Sequence, residues 1–373
     1  MAETAIGRMS QKSPVGAFNH FTKKKGYRLG GWINAIVPML IVPYYSVIGG
    51  WVIKYMVDYI TKPAREIAVD GYFSDFISGV SPEVWFIIFA LLTTVIVYMG
   101  VQGGIERVSK ILMPILVVLA FIICIYTMTR PGAGAGIKYL LVPSTERFSW
   151  MTVVTAMQQM FYSLSIAMGI LITFGSYMKK NVSIEESTDQ VEIFDTLIAF
   201  LAGLMIIPAV FAFSGADAGK NLDAGPSLMF ITMPKTFASF PGGRAFGLLF
   251  FMLVLFAALT SSIALMESAV STLEDELGWS RKKATIVIGA IMLCLGTLSA
   301  LGYGVLANVK IIGMQFLDFF DFITNSVMMP LAAIATCLLV SKVIGLDKID
   351  EEVTLGGAKF VRKKIFHFMI KWL

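Results

Sequence analysis

Eight stretches of this chain carry no charged side chain and are long enough to cross a bilayer. A membrane-spanning helix needs about 20 residues, because the hydrocarbon core is about 30 Å thick and a helix rises about 1.5 Å per residue. The stretches lie at 31–53, 84–105, 111–129, 148–178, 196–216, 245–266, 284–309 and 322–341. They predict an all-α, polytopic membrane protein with about eight transmembrane helices.

The charged residues follow the pattern of a membrane protein and do not indicate nucleic-acid binding. Lysine and arginine are concentrated in alternate loops, around 8–28, 107–110, 179–180, 281–283 and 342–364. Because positive residues stay on the cytoplasmic side of membrane proteins, these loops and both ends of the chain are expected in the cytoplasm. A content of 57% hydrophobic residues excludes a soluble globular domain and indicates a membrane protein. Its expected location is the plasma (inner) membrane.

Cysteine and histidine do not indicate a metal centre or a redox function. Cys124, Cys294 and Cys337 lie inside apolar stretches, where packing is their expected role. His20 and His367 lie near lysines outside those stretches, where solvated or interfacial side chains are expected. Nothing in the sequence resembles a nucleophile–base pair, a phosphate-binding loop or a redox motif, so the chain is not expected to be an enzyme.

The stretch 148–178 differs from a plain membrane helix in its middle. Ser163, Ser165, Ala167 and Gly169 stand close together where leucine and isoleucine are usual. Small and hydroxylated residues at mid-depth indicate a broken helix, whose freed backbone groups can hold a ligand or line a cavity. The alternative is a tight helix–helix contact through small residues.

Polar residues occur in or beside two further stretches. Thr260 and Ser261 offer hard oxygen donors suited to a cation such as sodium, or they bond back to the preceding turn of their own helix. Asp195 lies at the start of stretch 196–216. It is either functional, because burying a charge is costly, or a cap of the helix N-terminus.

Three local features add expectations about helix ends and loops. The Tyr44–Tyr45 pair is either a buried, hydrogen-bonded feature or part of a ligand pocket. Gly103 and Gly104 predict a short turn between the second and third stretches. Loop 217–244 contains an apolar segment and is expected to pack back onto the protein as an external lid.

The two ends of the chain read like parts of further membrane helices. Residues 1–7 look like the end of one, and the basic, aromatic run 359–373 looks like the approach to another. The chain is therefore expected to be a single transmembrane domain over 1–373 that is incomplete at both ends.

Several segments together resemble the neurotransmitter:sodium symporter family, in its bacterial amino-acid transporter branch. They are FYSLSIAMGILITFGSY, LFAALTSSIALMESAVSTLEDELGWSRKKA, VPYYSVIGGW, GGIERVSKILMP and MPKTFASFPGG. The resemblance extends over 1–373 and implies a symporter fold of two inverted five-helix repeats with broken helices. The eight stretches would be the family's helices three to ten, with the first helix and most of the second missing and the last helix cut.

The resemblance also implies a midplane site for an amino acid whose side chain is apolar. Tyr45 would bind the substrate carboxylate. Tyr162 would form an aromatic lid above the substrate, at a position where phenylalanine is usual. Further substrate contacts would come from Ile41, Ser163, Ser165, Met168, Ser261 and Leu265.

Two sodium sites are implied in the same way. One would use the Ala257 carbonyl with Thr260 and Ser261, and the other would use Ser163 with Asp195. Asp195 stands where many members have asparagine, and its negative charge would remove the need for chloride.

The resemblance implies two gates, and the function itself has three candidates. Gln159 and Asp321 would belong to the external gate, and Tyr177 and Asp275 to the cytoplasmic one. The first candidate is sodium-coupled amino-acid symport by alternating access. The second is a non-transporting receptor, scaffold or inactive truncated copy, because half of the ligand cage would come from the missing first helix. The third is proton-coupled transport through Asp195 or Glu267.

Overall fold

The structure, a computed structural model, describes residues 1–144, 148–215, 225–355 and 359–372, and nearly all of them are helical. The first eight helices are α1 Ala2–Ser10, α2 Pro14–Phe21, α3 Lys25–Thr61, α4 Ala64–Ile67, α5 Tyr72–Ser78, α6 Ser81–Tyr98, α7 Val101–Met128 and α8 Ala133–Leu141. The others are α9 Trp150–Ser163, α10 Ile170–Ser176, α11 Ile184–Ser214, α12 Met233–Ala238, α13 Gly243–Leu277, α14 Arg281–Ala300, α15 Phe316–Ile344, α16 Leu346–Val353 and α17 Lys363–Trp372.

Among the residues described, seven helices are long and apolar enough to cross a membrane. They are α3, α6, α7, α11, α13, α14 and α15. The remaining predicted stretch, 148–178, is divided between α9 and α10, and neither half is long enough to cross alone. The prediction of an all-α, multi-pass membrane protein with a broken helix is therefore confirmed.

Two predicted boundaries at glycine-rich positions were wrong. The turn predicted at Gly103–Gly104 lies instead at Met99–Gly100, where Gly100 has φ 92°. Residues Val101–Glu106 then begin α7 as a π-helical turn. The stretch predicted to span 284–309 is helical only to Ala300. Glycines soon follow that residue, and glycine is a poor helix former.

Two further details differ from the sequence prediction. Helix α3 continues to Thr61, beyond the predicted end at residue 53. Lys54 and Asp58 make this possible, since their side chains pair one turn apart at 2.6 Å and neutralise each other's charge. Cys294 was expected to pack inside the protein but is exposed on α14.

Helices α3 and α13 form the centre of the molecule. They pack along each other, and α3 also contacts α6 and α14. A Cβ atom on Gly50 would lie 2.5 Å from the backbone nitrogen of Phe86, so glycine is what allows α3 and α6 to approach so closely. The two central helices carry most of the residues that the sequence assigned to the binding site.

The described part of the predicted lid loop packs back onto the protein as expected. Its residues 216–224 lie outside the described ranges. Phe230 is buried against Trp51, and its carbonyl accepts a hydrogen bond of 3.0 Å from the Tyr55 hydroxyl. The loop is thus attached to α3, while its action as a lid stays a prediction.

Ion pairs join α16 to α17. The Asp350 carboxylate lies 2.8 Å from Lys363 Nζ and 2.9 Å from His367 Nε2. His367 is half-exposed, and a carboxylate from the preceding helix binds its ring, so the structure does not contradict the expectation of a solvated or interfacial histidine.

Candidate functional site

The predicted helix break is present, and it lies between α9 and α10. Ser165, Ala167 and Gly169 have φ values of 54°, 61° and 68°. Positive φ is costly for residues other than glycine, so this backbone is held by its surroundings. The break interrupts the helical hydrogen-bond ladder at 164–169 and leaves peptide groups that can face a ligand.

Glu3 on α1 stabilises the break. It is only 5% exposed, and its Oε1 accepts a hydrogen bond of 2.9 Å from the Ala167 backbone nitrogen. The sequence analysis missed this contact because it treated residues 1–7 only as the end of a helix. An acidic residue inside an apolar run was the available signal.

Ser163 and Asp195 are brought together at the end of α9. The Ser163 hydroxyl donates to Asp195 Oδ1 at 2.5 Å. Asp195 lies about three turns inside α11, and the N-cap of that helix is Ser183. The alternative that Asp195 caps a helix N-terminus was therefore wrong.

Thr260 makes the local bonds that one of the two sequence interpretations expected. Its hydroxyl donates to the carbonyls of Phe256 and Ala257 at 3.1 and 3.0 Å. This bond uses the hydroxyl proton and leaves oxygen lone pairs available. Back-bonding and cation binding are thus compatible at this residue, and Ser261 beside it is exposed.

The two adjacent tyrosines of α3 have different roles. Tyr44 is 2% exposed, and its hydroxyl lies 3.2 Å from Asp321 Oδ1 and 3.4 Å from Thr324 Oγ1. Tyr45 is half-buried and interacts with the Ser261 side chain of α13. The buried, hydrogen-bonded alternative describes Tyr44, the ligand-pocket alternative stays a prediction for Tyr45, and Tyr162 lies beside both.

The predicted side-chain pocket gathers residues from three elements. Ile41 of α3, Met168 of the break and Leu265 of α13 are buried in one apolar cluster. Ser165 lies in the break itself and is half-buried. The three apolar residues are therefore part of the protein core, and their contact with a substrate stays a prediction.

The residues predicted for the external gate are not joined by a hydrogen bond. Asp321 accepts from Asn325 Nδ2 at 2.7 Å and from the Tyr44 hydroxyl. Gln159 is exposed on α9 and makes no hydrogen bond to any part of the chain that the structure describes. Tyr44 and Asn325 are the partners of Asp321 that the sequence analysis did not name.

The residues predicted for the cytoplasmic gate belong to two separate contacts. The Tyr177 hydroxyl donates to Glu267 Oε1 at 2.7 Å, and Arg281 binds both oxygens of that fully buried carboxylate at 3.0 and 2.5 Å. Asp275 instead accepts a hydrogen bond from the backbone nitrogen of Ser13. In the sequence Arg281 stands out only as a basic loop residue, and its contact with Glu267 depends on the fold.

The sodium:neurotransmitter symporter family matches residues 74–372 of the chain. The uncharacterized sodium-dependent transporter YhdH of Bacillus subtilis (strain 168) is 32% identical over 361 residues, which are 96% of this chain and 79% of the relative. The uncharacterized sodium-dependent transporter MJ1319 of Methanocaldococcus jannaschii is 29% identical over 373 residues, covering 94% of this chain and 72% of the relative.

A solved structure has a similar fold. The crystal structure of MhsT in complex with L-phenylalanine has a TM-score of 0.87 and 35% sequence identity, and the match covers 100% of this chain and 84% of that chain. The family match, the relatives and the shared fold lead to one conclusion: the chain belongs to the sodium:neurotransmitter symporter family and is a multi-pass membrane protein of its sodium-dependent transporters.

Proposed function

We propose that this protein is a sodium-coupled symporter of an amino acid with an apolar side chain. The observation that carries the proposal is the helix break at 164–169. It follows directly after Ser163, whose hydroxyl donates to Asp195, and it contains Met168, which is buried in the main apolar core together with Ile41 and Leu265. The MhsT structure with bound L-phenylalanine supports an amino acid as the ligand.

In this proposal the substrate carboxylate binds at the Tyr45 hydroxyl and the broken backbone. The half-helix ends provide dipoles for the charged groups of a zwitterion. Tyr162 closes over the substrate, which Ser163, Ser165 and Ser261 also contact. Ile41, Met168 and Leu265 receive the apolar side chain, since all three are buried in one cluster.

Two sodium ions bind beside the substrate in this proposal. Hydroxyl, carbonyl and carboxylate oxygens are hard donors suited to sodium. The Ala257 carbonyl with Thr260 and Ser261 would hold one ion, and Ser163 with Asp195 the other. The available lone pairs of Thr260 and the direct Ser163–Asp195 contact support both assignments.

The Asp195 carboxylate makes chloride unnecessary in this proposal. A fixed negative charge next to a sodium ion supplies the balance that an anion would otherwise provide. The position of Asp195 inside α11 and its contact with Ser163 support this assignment.

Transport follows alternating access between two gates. Gln159 and Asp321 control the external side, and Tyr177 and Asp275 the cytoplasmic side. Sodium and substrate bias the same conformational equilibrium because they share one site, which couples their movements. The protein lies in the plasma (inner) membrane with its basic loops in the cytoplasm.

Equilibrium binding tests the proposal directly. Labelled L-phenylalanine or L-leucine is titrated onto the purified full-length protein in sodium chloride, choline chloride and potassium chloride. We expect saturable binding in sodium alone. Equal binding in the three salts would contradict sodium coupling, and no binding in any of them would favour the receptor or inactive-copy alternative.

Proton coupling through Glu267 is disfavoured by the geometry. Glu267 is fully buried and bound by Arg281 and Tyr177, so its charge is already compensated. Amino-acid uptake driven by a pH gradient in sodium-free buffer would contradict sodium coupling. Loss of that uptake in Glu267→Gln would then assign the proton coupling to Glu267.

A further inference from the structure

A groove lies where α3 ends and α13 begins, at the boundary of the membrane-spanning region. Its volume is about 430 Å³, and its walls are formed by Tyr59, Ile60, Gly242, Arg244, Ala245 and Leu248. Small-molecule sites in proteins have volumes of roughly 300–1,000 Å³. The groove is thus large enough to hold a ligand, and it contains no residue of the proposed substrate or sodium sites.

Most of the groove wall is apolar. Ile60, in the last turn of α3, is 53% exposed, and Ala245 and Leu248 continue the apolar surface along the first turns of α13. Apolar side chains that stay exposed near the end of a membrane-spanning helix offer a surface for contact with lipid. This wall therefore fits an acyl chain.

Arg244 places a positive charge on the same groove. Its Nε donates to the Tyr59 carbonyl at 3.0 Å, and its Nη2 donates to the Ile60 carbonyl. These bonds hold the guanidinium against the end of α3, and no carboxylate pairs with it within the described ranges. Two carbonyls do not neutralise the charge, and guanidinium groups bind phosphate through paired hydrogen bonds.

Tyr59 lines the groove next to Arg244 and packs against α13. Its ring packs over Gly247, where an added Cβ atom would lie 2.2 Å from Cε1. Its hydroxyl is buried and has no hydrogen-bond partner among the residues described. The hydroxyl is therefore enclosed by protein, and the polar side chain that the groove offers to a ligand is Arg244.

We propose that the groove binds a phospholipid, with its phosphate at Arg244 and an acyl chain along Ile60, Ala245 and Leu248. A free phosphate ion would not use the apolar wall, and an uncharged lipid would not use the arginine. Basic side chains at the ends of membrane helices are recognised partners of lipid head groups. Because Arg244 joins the first turn of α13 to the last turn of α3, the lipid stabilises the packing of these two central helices.

Native mass spectrometry of the purified protein in detergent tests this proposal. The probes are phosphatidylglycerol, a diacylglycerol that lacks the phosphate, and inorganic phosphate that lacks the chains. We expect one tightly bound phosphatidylglycerol per chain and no comparable binding of the other two. Arg244→Gln should weaken the binding of phosphatidylglycerol about tenfold, as expected for the loss of a charge-assisted hydrogen bond.

Ala245→Phe separates lipid binding from the structural role of Arg244. This substitution fills the exposed groove wall and leaves both Arg244 hydrogen bonds in place, so it should also weaken phosphatidylglycerol binding about tenfold. Arg130→Gln is the matched control, since Arg130 stacks on Tyr126 at the end of α7 and does not line the groove. Unchanged binding in Arg244→Gln or in Ala245→Phe would contradict the proposal, and so would diacylglycerol binding as tight as that of phosphatidylglycerol.

Discussion

At the scale of single residues, hydrogen-bond direction decides what a side chain can bind. Thr260 donates its only hydroxyl proton to its own helix, so its lone pairs are its remaining binding capacity. The Asp195 carboxylate accepts a hydrogen bond from the Ser163 hydroxyl next to the helix break. Both oxygens suit a cation, and each gives a prediction.

Thr260→Val and Ser261→Ala should each weaken the apparent sodium affinity by about tenfold, because each removes one oxygen donor from a proposed sodium site. Expression and thermal stability should change much less. The measurement is sodium titration of labelled amino-acid binding. Ser262→Ala is the matched control, since the Ser262 hydroxyl is buried and bonded to Thr93. Unchanged sodium titrations in both test variants would remove these residues from the site.

Asp195→Asn should make binding depend on chloride, because the substitution removes the fixed negative charge beside sodium. The measurement compares amino-acid binding in sodium chloride with binding in sodium gluconate. The wild-type protein should bind the amino acid equally in both salts. Glu192→Gln is the matched control and should behave like the wild type, because Glu192 lies one turn earlier on α11 and pairs with Arg362. A wild-type protein that needs chloride would contradict the role given to Asp195.

At the scale of elements, α1 and α10 pack directly against each other. A Cβ atom on Gly7 would lie 2.0 Å from the Ile172 carbonyl oxygen, so the two helices touch through their backbones. Arg8 connects α1 to α16 and to the segment between α10 and α11. Its Nε binds Glu352 of α16 at 2.5 Å, and its Nη1 donates to the Val182 carbonyl at 2.6 Å.

Arg8→Met should destabilise the protein by about 3–5 kcal/mol, because Arg8 is 1% exposed and Glu352 would be left buried without a partner. Thermal unfolding in detergent measures the effect. Arg28→Met is the control. Arg28 is 55% exposed and 3.7 Å from Glu276, so its loss should cost less than about 1 kcal/mol. Equal destabilisation by the two substitutions would contradict this account of Arg8.

Much at the element scale could be predicted from the sequence, and the exceptions have physical causes. Long charge-free runs indicated the membrane-spanning helices, because charged side chains are costly in the hydrocarbon core. The cluster of Ser163, Ser165 and Gly169 indicated the helix break. The end of α3 was missed because Lys54 and Asp58 neutralise each other within the helix. The separate roles of Tyr44 and Tyr45 and the Glu267–Arg281 pair depend on long-range packing, which a local pattern does not contain.

At the scale of the whole molecule, α3 and α13 form a frame for the broken helix. The frame carries Tyr45, Thr260 and Leu265, while Ser163 lies on α9 and Asp195 on α11. Coupling in the proposed mechanism requires that sodium and substrate join these two groups of helices.

The proposed orientation gives a prediction for the same scale. Single cysteines introduced in place of Lys282 and Ser74 should lie on opposite sides of the membrane, because only the first belongs to a basic loop. A membrane-impermeant thiol reagent applied to intact cells should label Ser74→Cys and leave Lys282→Cys unlabelled until the cells are opened. Both cysteines are introduced into a parent protein in which Cys124, Cys294 and Cys337 are replaced, so that only the introduced cysteine can react. The reverse labelling pattern would invert the proposed topology.

The most direct test of the central claim is amino-acid uptake by the full-length protein in proteoliposomes with an imposed sodium gradient. The account predicts that labelled L-phenylalanine or L-leucine accumulates inside when sodium is high outside. It also predicts that accumulation disappears when potassium replaces sodium or when the gradient is collapsed. Accumulation without sodium, or tight sodium-dependent binding with no accumulation under any gradient, would contradict sodium-coupled symport.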